Sequence, residues 1–153
     1  TEKDGWTYLA SVEDLYSRKI IGWAFGKTMD AELAKKALKN ASLNIKKTKG
    51  IILQTDLGSQ YTSNIFEEYL AELKIRHSYS RKGCPYDNSC IESFHSILKK
   101  EEVNLKKYKD FKEAYNAIFE FIEAWYNRER IHSCLNYKTP DEVHSEDEES
   151  FAA

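Results

Sequence analysis

Two acidic residues, Asp56 and Glu92, stand where α/β proteins place functional groups. Asp56 follows the short apolar run Ile51–Leu53, which predicts a buried strand, and side chains at the carboxyl end of such a strand build many binding sites. Glu92 follows a loop with Gly and Pro and lies near the start of a predicted helix. Carboxylate oxygens are hard ligands that suit Mg²⁺ or Mn²⁺. Either acid alone is more often a helix cap or an exposed surface group.

Each acid lies within a longer motif. Residues 55–63 read TDLGSQYTS, and residues 80–94 read SRKGCPYDNSCIESF. The first resembles the Asp-x-Gly-Ser-x-[Tyr/Phe]-[Thr/Ser]-Ser signature of retroviral integrases and related transposases. The second resembles the glutamate motif of insertion-sequence transposases with an integrase-like core, and the 35 residues between the two acids are the interval used in that family.

A third motif lies near the end of the chain. Residues 126–132 read YNRERIH and residues 135–140 read LNYKTP, which is similar to the C-terminal box of the same transposases. The resemblance then extends from Gly5 to Val143. An RNase H-like nuclease or a Holliday-junction resolvase would share the acids without needing this box. A non-catalytic nucleic-acid-binding or oligomerisation remnant is the alternative from another functional class.

The resemblance implies metal-dependent cleavage and strand transfer of DNA at a site that holds two Mg²⁺ or Mn²⁺ ions. Asp56 would contact both ions and Glu92 one. The family's third carboxylate is an aspartate on the first, central strand, just upstream of the hairpin that begins here at Trp6. Only Thr1–Asp4 precede that hairpin, so we expect this chain to lack the strand and its acid and to be inactive by itself.

The resemblance also implies roles for neighbouring residues. Glu92, His95 and Lys99 recur at helical spacing, so they share one helix face. His95 is expected either to orient Glu92 or only to fill space, and each lysine is expected either to contact phosphate or to be solvated. The supporting residues are Gly58, Ser59, Gln60, Tyr61, Asn88 and His95, and the DNA-contacting ones are Lys99, Lys100, Arg81 and Lys82. The chain departs from the family at Gln54-Thr55, where His-Ser is frequent, and at Cys84, where Asn is usual.

The elements that must position these residues follow from local patterns. Aromatic and β-branched segments around a polar turn predict a hairpin, and capped apolar stripes predict helices. The order helix, strand, helix, strand suggests parallel crossovers. The expected fold is α/β, an RNase H-like mixed sheet flanked by helices and lacking its central strand. The predicted segments are strands at 6–12, 19–25, 51–53 and 75–79, and helices at 31–45, from 63 or 64, from 87 or 88, and at 110–128.

Composition limits the remaining possibilities. The formal net charge is −2, but six acids in 141–150 hide a mildly basic body. We expect a core domain at 1–140 and an acidic, disordered tail at 141–153. Three cysteines without a Cys-x-x-Cys pair fit reduced thiols in the cytoplasm, and Cys84, Cys90 and His95 form a weak zinc hypothesis. No apolar run predicts a membrane span. Unpaired edges beside the missing strand predict a homo-oligomer.

Overall fold

A computed structural model describes residues 1–81 and 85–152, with side chains at all of these except 85, 86 and 148–152. Lys82 and Cys84 therefore lie outside the described residues. The chain forms two compact units, and neither of them ends at residue 140. Unit 1 comprises Thr1–Gly5, Glu13–Ile20 and Phe94–Ala153, and unit 2 comprises Trp6–Val12 and Ile21–Ser93.

Unit 2 contains the predicted helix and most of the predicted hairpin, whose turn belongs to unit 1. Strands β1 (Tyr8–Glu13) and β2 (Ile20–Gly26) pair, and helix α1 (Ala31–Leu43) begins where the Asp30 carboxylate accepts from the backbone N–H of Leu33 at 2.9 Å. Gly22 permits the close approach of β2 to α1, because a Cβ at this position would lie 2.2 Å from the Ala41 nitrogen. The apolar stripe of α1 is buried as predicted, at Leu33, Ala34, Ala37, Leu38 and Ala41.

The second half of unit 2 is a parallel crossover. Strands β3 (Ile52–Thr55) and β4 (Arg76–Tyr79) are parallel neighbours, joined by helix α2 (Asn64–Leu73). Ser63 caps α2, because its hydroxyl accepts from the N–H of Phe66 at 3.3 Å. A core of Phe66, Leu70 and Ile75 with Ala34 and Leu38 of α1 holds these elements together. The predicted parallel pairing is confirmed.

The expected burial of β3 on both faces is wrong. Ile52 is 56% exposed and Gln54 is also exposed, whereas Thr55 is buried. The strand therefore alternates, with one face packed towards α2 and the other open. Among the described residues the strands form two two-stranded sheets, β1-β2 and β3-β4.

Unit 1 is helical. Helix α3 (Ser89–Glu101) starts in unit 2 and continues here, and helix α4 (Phe111–Phe119) passes directly into a π-helical segment at Glu120–Tyr126. This confirms the long helix predicted from Asp110, whose side chain accepts from the N–H of Glu113. No helix among the described residues is long and apolar enough to cross a membrane.

The C-terminal box supplies a clamp inside unit 1. The π-helical turn ends with the Asn127 N–H donating to the Ile122 carbonyl at 3.1 Å, and the Asn127 side chain is 1% exposed. Its Oδ1 accepts from the N–H of Ile20 at 3.0 Å, and its Nδ2 donates to the Ile20 carbonyl at 3.0 Å. One amide thus pairs both backbone groups of Ile20, as a neighbouring strand would.

The segment expected to be a disordered tail forms helix α5 (Pro140–Ala152). Thr139 and Glu142 make a reciprocal capping box: the Thr139 N–H donates to the Glu142 carboxylate at 2.7 Å, and the Glu142 N–H donates to Oγ1 of Thr139 at 3.3 Å. Lys138 also pairs with Glu146 at 2.6 Å. The capping box, the proline at the first position of α5 and the Lys138 ammonium group offset the repulsion among the acids. That repulsion was the reason for expecting disorder.

Glu13 and His132 are buried polar side chains in unit 1 whose Oε2 and Nε2 atoms have no hydrogen-bond partner among the described residues. Burial raises the pKa of Glu13 to about 7, and Arg18 opposes that shift. Burial lowers the pKa of His132 to about 4, and Arg130 and Arg18 reinforce that shift. Both groups therefore favour their neutral forms, because charge is poorly solvated there.

Replacing Asn127 by Ala should lower the free energy of unfolding by about 3 kcal/mol, since two backbone groups of Ile20 lose their buried partner. Urea unfolding monitored by circular dichroism measures the change. Asn116→Ala, at an exposed position of α4, is the control and should change stability by less than about 0.5 kcal/mol. Equal stabilities of the two variants would show that the clamp contributes nothing.

The raised pKa of Glu13 predicts that Glu13→Gln increases the free energy of unfolding by an amount that depends on pH. The folded-state pKa lies above the usual value, so the contribution of the protonated acid is complete below pH 4.5 and is lost as the pH rises through about 7. Glu13→Gln should therefore match the original protein at pH 5 and exceed its stability at pH 8, by about 1 to 2 kcal/mol after discounting for solvent. Urea unfolding at both pH values tests this, and a difference that does not vary with pH contradicts it.

Candidate functional site

Asp56 projects from the turn that follows β3. The side chain is exposed, and its Oδ1 accepts from the N–H of Gly58 at 2.8 Å. A Cβ at position 58 would lie 2.8 Å from Oδ1 of Asp56 and 2.6 Å from Nε2 of Gln60. The N–H groups of Tyr61 and Thr62 both donate to the Gly58 carbonyl. Gly58 therefore closes a tight turn and leaves room for the Asp56 and Gln60 side chains.

Tyr61 anchors this turn to the core of unit 2. Its ring meets Phe66 edge-on with centroids 5.4 Å apart. Burial raises the pKa of the Tyr61 hydroxyl, Asp56 adds to the shift, and a hydrogen bond with Gln60 opposes it. Ser59 is exposed on the turn. Three of the four predicted supporting residues in this motif thus contact or shape the surroundings of Asp56.

Glu92 lies in the first turn of α3, as predicted, and its side chain is exposed. It makes no ion pair or hydrogen bond with the part of the chain that the structure describes. A carboxylate at this end of a helix is favoured by the partial positive charge of the unpaired N–H groups. Glu92 therefore presents an exposed carboxylate at the start of α3.

Asp87 and Asn88, predicted to cap α3, make hydrogen bonds back to the end of β4. The Asp87 carboxylate accepts from the Arg81 backbone N–H at 3.0 Å and from the Arg81 guanidinium at 3.3 Å. This pairing lowers the pKa of Asp87. Oδ1 of Asn88 accepts from the Ser80 hydroxyl at 2.6 Å. The two side chains fix where the glutamate helix starts.

A polar junction connects the strand that carries Asp56 to the helix that carries Glu92. The Thr55 carbonyl accepts from the N–H of Ser80 at 2.8 Å and lies 3.0 Å from its hydroxyl. Nε2 of Gln54 donates to the Asp87 carbonyl at 2.8 Å. Hydrogen bonds from residues 54 and 55 therefore reach the end of β4 and the segment that opens α3.

Sequence reasoning missed a second set of polar groups beneath Asp56. The Thr55 hydroxyl lies 2.8 Å from Nε2 of His77, and Nδ1 of His77 lies 2.6 Å from Oε1 of Glu67. Oε1 of Glu67 also accepts from the Tyr79 hydroxyl. The sequence signal for this set was that His77 and Tyr79 alternate along β4 and so lie on the face that packs against a helix.

The remaining predicted site residues have different surroundings. His95 is half-buried in unit 1 against Phe94, with ring centroids 5.1 Å apart, and burial lowers its pKa. Lys99 and Lys100 are exposed in the last turn of α3. Arg81 is exposed and paired with Asp87. Lys82 and Cys84 lie outside the described residues.

The donor chemistry at Asp56 and Glu92 fits a hard divalent cation. Both are exposed carboxylates on hydrogen-bonded elements of unit 2, and Asp56 is oriented by the Gly58 N–H. Among the described side chains, no three from His, Cys, Asp and Glu come together as a metal site. The zinc hypothesis includes Cys84, which lies outside the described residues.

Comparison with known proteins identifies the family. Two family models, each described as an integrase core domain, match residues 1–85 and residues 73–140. The first covers more than half of the chain. This chain belongs to the integrase core domain family.

Bacterial transposases are among the relatives of this integrase core domain. The transposase for insertion sequence element IS904 of Lactococcus lactis subsp. lactis is 41% identical over 138 residues, which are 90% of this chain and 54% of that protein. Transposase InsF for insertion sequence IS3A of Escherichia coli is 40% identical over 139 residues, 91% of this chain and 48% of that protein. The chain spans about half the length of these curated relatives.

Solved integrase structures confirm the fold. The HTLV-2 integrase catalytic core domain in complex with magnesium matches with a TM-score of 0.59 and 17% identity, over 90% of this chain and 93% of that one. The simian T-cell lymphotropic virus intasome matches with a TM-score of 0.68 and 20% identity, over 89% of this integrase core domain and 47% of that chain. The RNase H-like assignment is confirmed.

Gly58→Ala should disturb Asp56 without unfolding the protein. The atoms that a Cβ would meet are the ends of flexible side chains, so the loss of stability should stay below about 1 kcal/mol. The Asp56 carboxylate should rotate, which shifts its ¹³C resonance in NMR spectra. Thr62→Ala, at an exposed position of the same turn, should leave that resonance in place. An unshifted Asp56 resonance in Gly58→Ala would contradict this account of the turn.

Proposed function

We propose that this chain is the catalytic core of an insertion-sequence transposase, which cleaves DNA phosphodiester bonds and transfers the freed strand during transposition. The observation that carries the proposal is the polar junction that connects the elements carrying Asp56 and Glu92, within an integrase core fold whose sequence relatives are transposases. The C-terminal box favours a transposase over a nuclease with the same acids.

Asp56 and Glu92 are the proposed metal ligands. Two bound Mg²⁺ or Mn²⁺ ions would supply activation of the attacking oxygen and stabilisation of the leaving oxygen. The Gly58 N–H orients the Asp56 carboxylate, and Asp87 and Asn88 fix the start of the helix that carries Glu92. The magnesium complex of the HTLV-2 integrase core supports the choice of cation.

The remaining predicted roles belong to the same proposal. DNA, as transposon ends and as target, is the proposed partner, and Lys99, Lys100 and Arg81 are the described cations proposed to contact its phosphates. A homo-oligomer is proposed because transposition joins two element ends, and the HTLV-2 integrase core is described in dimeric and trimeric forms. The third carboxylate is proposed to lie on a strand that precedes Trp6 in the longer protein.

Strand transfer should depend on the upstream strand and on both acids. The 153-residue chain should not cut DNA measurably, because two carboxylates hold at most one ion loosely. A version extended upstream through one strand and its aspartate should cleave and join a labelled DNA duplex with Mg²⁺ or Mn²⁺. Asp56→Asn or Glu92→Gln should reduce that activity by at least about 1,000-fold.

The matched control for these substitutions is Glu68→Gln, which changes an exposed acid of α2 and should leave strand transfer unchanged. Cleavage without joining would favour the RNase H-like nuclease. An extended protein that binds DNA but neither cuts nor joins it would support the non-catalytic remnant and overturn the proposal.

A further inference from the structure

A chain of four polar side chains lies on the face of β3 and β4 that packs against α2. It runs from Thr55 through His77 and Glu67 to Tyr79, with 2.8 Å between Oγ1 of Thr55 and Nε2 of His77, and 2.6 Å between Nδ1 of His77 and Oε1 of Glu67. The His77 side chain is only 7% exposed. Polar groups are costly to bury at a strand–helix contact unless each finds a partner.

The direction of the hydrogen bonds follows from donor counting. The Thr55 hydroxyl has a single hydrogen, which it donates to the carbonyl oxygen of Asp56 at 2.9 Å. The Glu67 carboxylate only accepts, so Nδ1 of His77 donates to it. Nε2 of His77 lies 2.8 Å from Oγ1 of Thr55, so this hydroxyl contacts both the imidazole ring and the carbonyl group of Asp56.

The imidazole ring of His77 is held in plane as well as at both nitrogens. The Tyr79 ring lies against it with centroids 4.2 Å apart, and the Phe66 ring is tilted by 60° beside it with centroids 5.8 Å apart. The hydrogen bond from Tyr79 is the largest cause that lowers the pKa of Glu67, which keeps this acceptor ionised. The imidazole ring of His77 is therefore held in one orientation towards Thr55.

At the Thr55 end, this row of four polar side chains reaches the backbone carbonyl group of Asp56. We propose that His77 is a positioning residue for Asp56: through the Thr55 hydroxyl it fixes the backbone that carries the Asp56 carboxylate, and so sets how tightly that carboxylate holds a divalent cation. The inference rests on the proposed function, because it takes Asp56 as a metal ligand. Groups that orient a ligand from behind typically change metal affinity 10- to 100-fold.

Two substitutions of His77 separate its two contacts. In His77→Gln the side-chain amide reaches the position of Nε2, which keeps a hydrogen-bonding group for Thr55. In His77→Asn it reaches only the position of Nδ1, which keeps the contact with Glu67 and loses the one with Thr55. Thr55→Val removes the hydroxyl at nearly constant volume and tests the same link from the other side.

The affinity of the 153-residue chain for Mn²⁺, measured by electron paramagnetic resonance of the free ion, is the first readout. His77→Asn and Thr55→Val should weaken binding about tenfold, and His77→Gln should restore it to within about threefold of the original protein. The double variant His77→Asn, Thr55→Val should bind Mn²⁺ no more weakly than either single variant, because both substitutions remove the same contact between residues 55 and 77.

The amide resonance of Gly58 is the second readout, since this N–H donates to Oδ1 of Asp56. It should shift in His77→Asn and Thr55→Val without any metal present and stay in place in His77→Gln. Glu67→Gln should shift it too, whereas Glu68→Gln, the exposed neighbour in α2, should not. A merely structural role for His77 would lower stability without this pattern.

The two proposals fail differently. If Asp56→Asn does not reduce Mn²⁺ binding relative to the original chain, the proposed metal site is wrong. The inference about His77 is then wrong as well. If Asp56→Asn abolishes binding while His77→Asn and Thr55→Val match the original chain in both readouts, the metal site stands and the positioning role of His77 is overturned. Should His77→Asn fail to fold, Thr55→Val decides alone.

Discussion

The carbonyl oxygen of Thr55 is the interaction point on which the site depends. It is the last backbone acceptor of β3, and both donors of Ser80 lie within hydrogen-bond distance of it. A strand end without partners would leave the following residue free to move, because an unpaired buried carbonyl is costly and the chain would rearrange to solvate it. Pairing with Ser80 connects the exit of β3 to the residue that precedes α3, since the Ser80 hydroxyl also donates to Asn88.

The same strand end is held on its two faces by different chemistry. Gln54, on the open face, reaches the Asp87 carbonyl near the glutamate helix, and Thr55, on the packed face, reaches the buried His77. Asp56 itself is exposed, so its own contacts with the core cannot hold it. Rigid neighbours and an exposed carboxylate are the combination that a metal ligand requires, because the charge stays hydrated until an ion arrives.

Unit 1 uses the C-terminal box mainly for architecture. The predicted motif at 126–132 closes a π-helical turn, and Asn127, its second residue, takes the place of a strand as the partner of Ile20. Thr139 and Pro140 start α5. A motif shared with transposases therefore contains at least one residue whose role is to complete backbone hydrogen bonding in this chain. Its value for identifying the family is separate from any contact with DNA.

The sequence by itself determined the class of fold and the order of elements, and it predicted the two acids, because apolar periodicity, caps such as Asp30 and Ser63, and the spacing of the motifs are local properties. Tertiary structure decided what lies behind the acids. The links from Thr55 to His77 and from Gln54 to Asp87 join residues 22 and 33 positions apart. No local sequence pattern specifies which side chain from a distant part of the sequence will lie on a given face of a strand. The exposure of Ile52 and the helix at Pro140–Ala152 also escaped prediction. An apolar run does not reveal whether both faces are covered, and an acidic composition does not reveal a capping box and an ion pair that offset its repulsion.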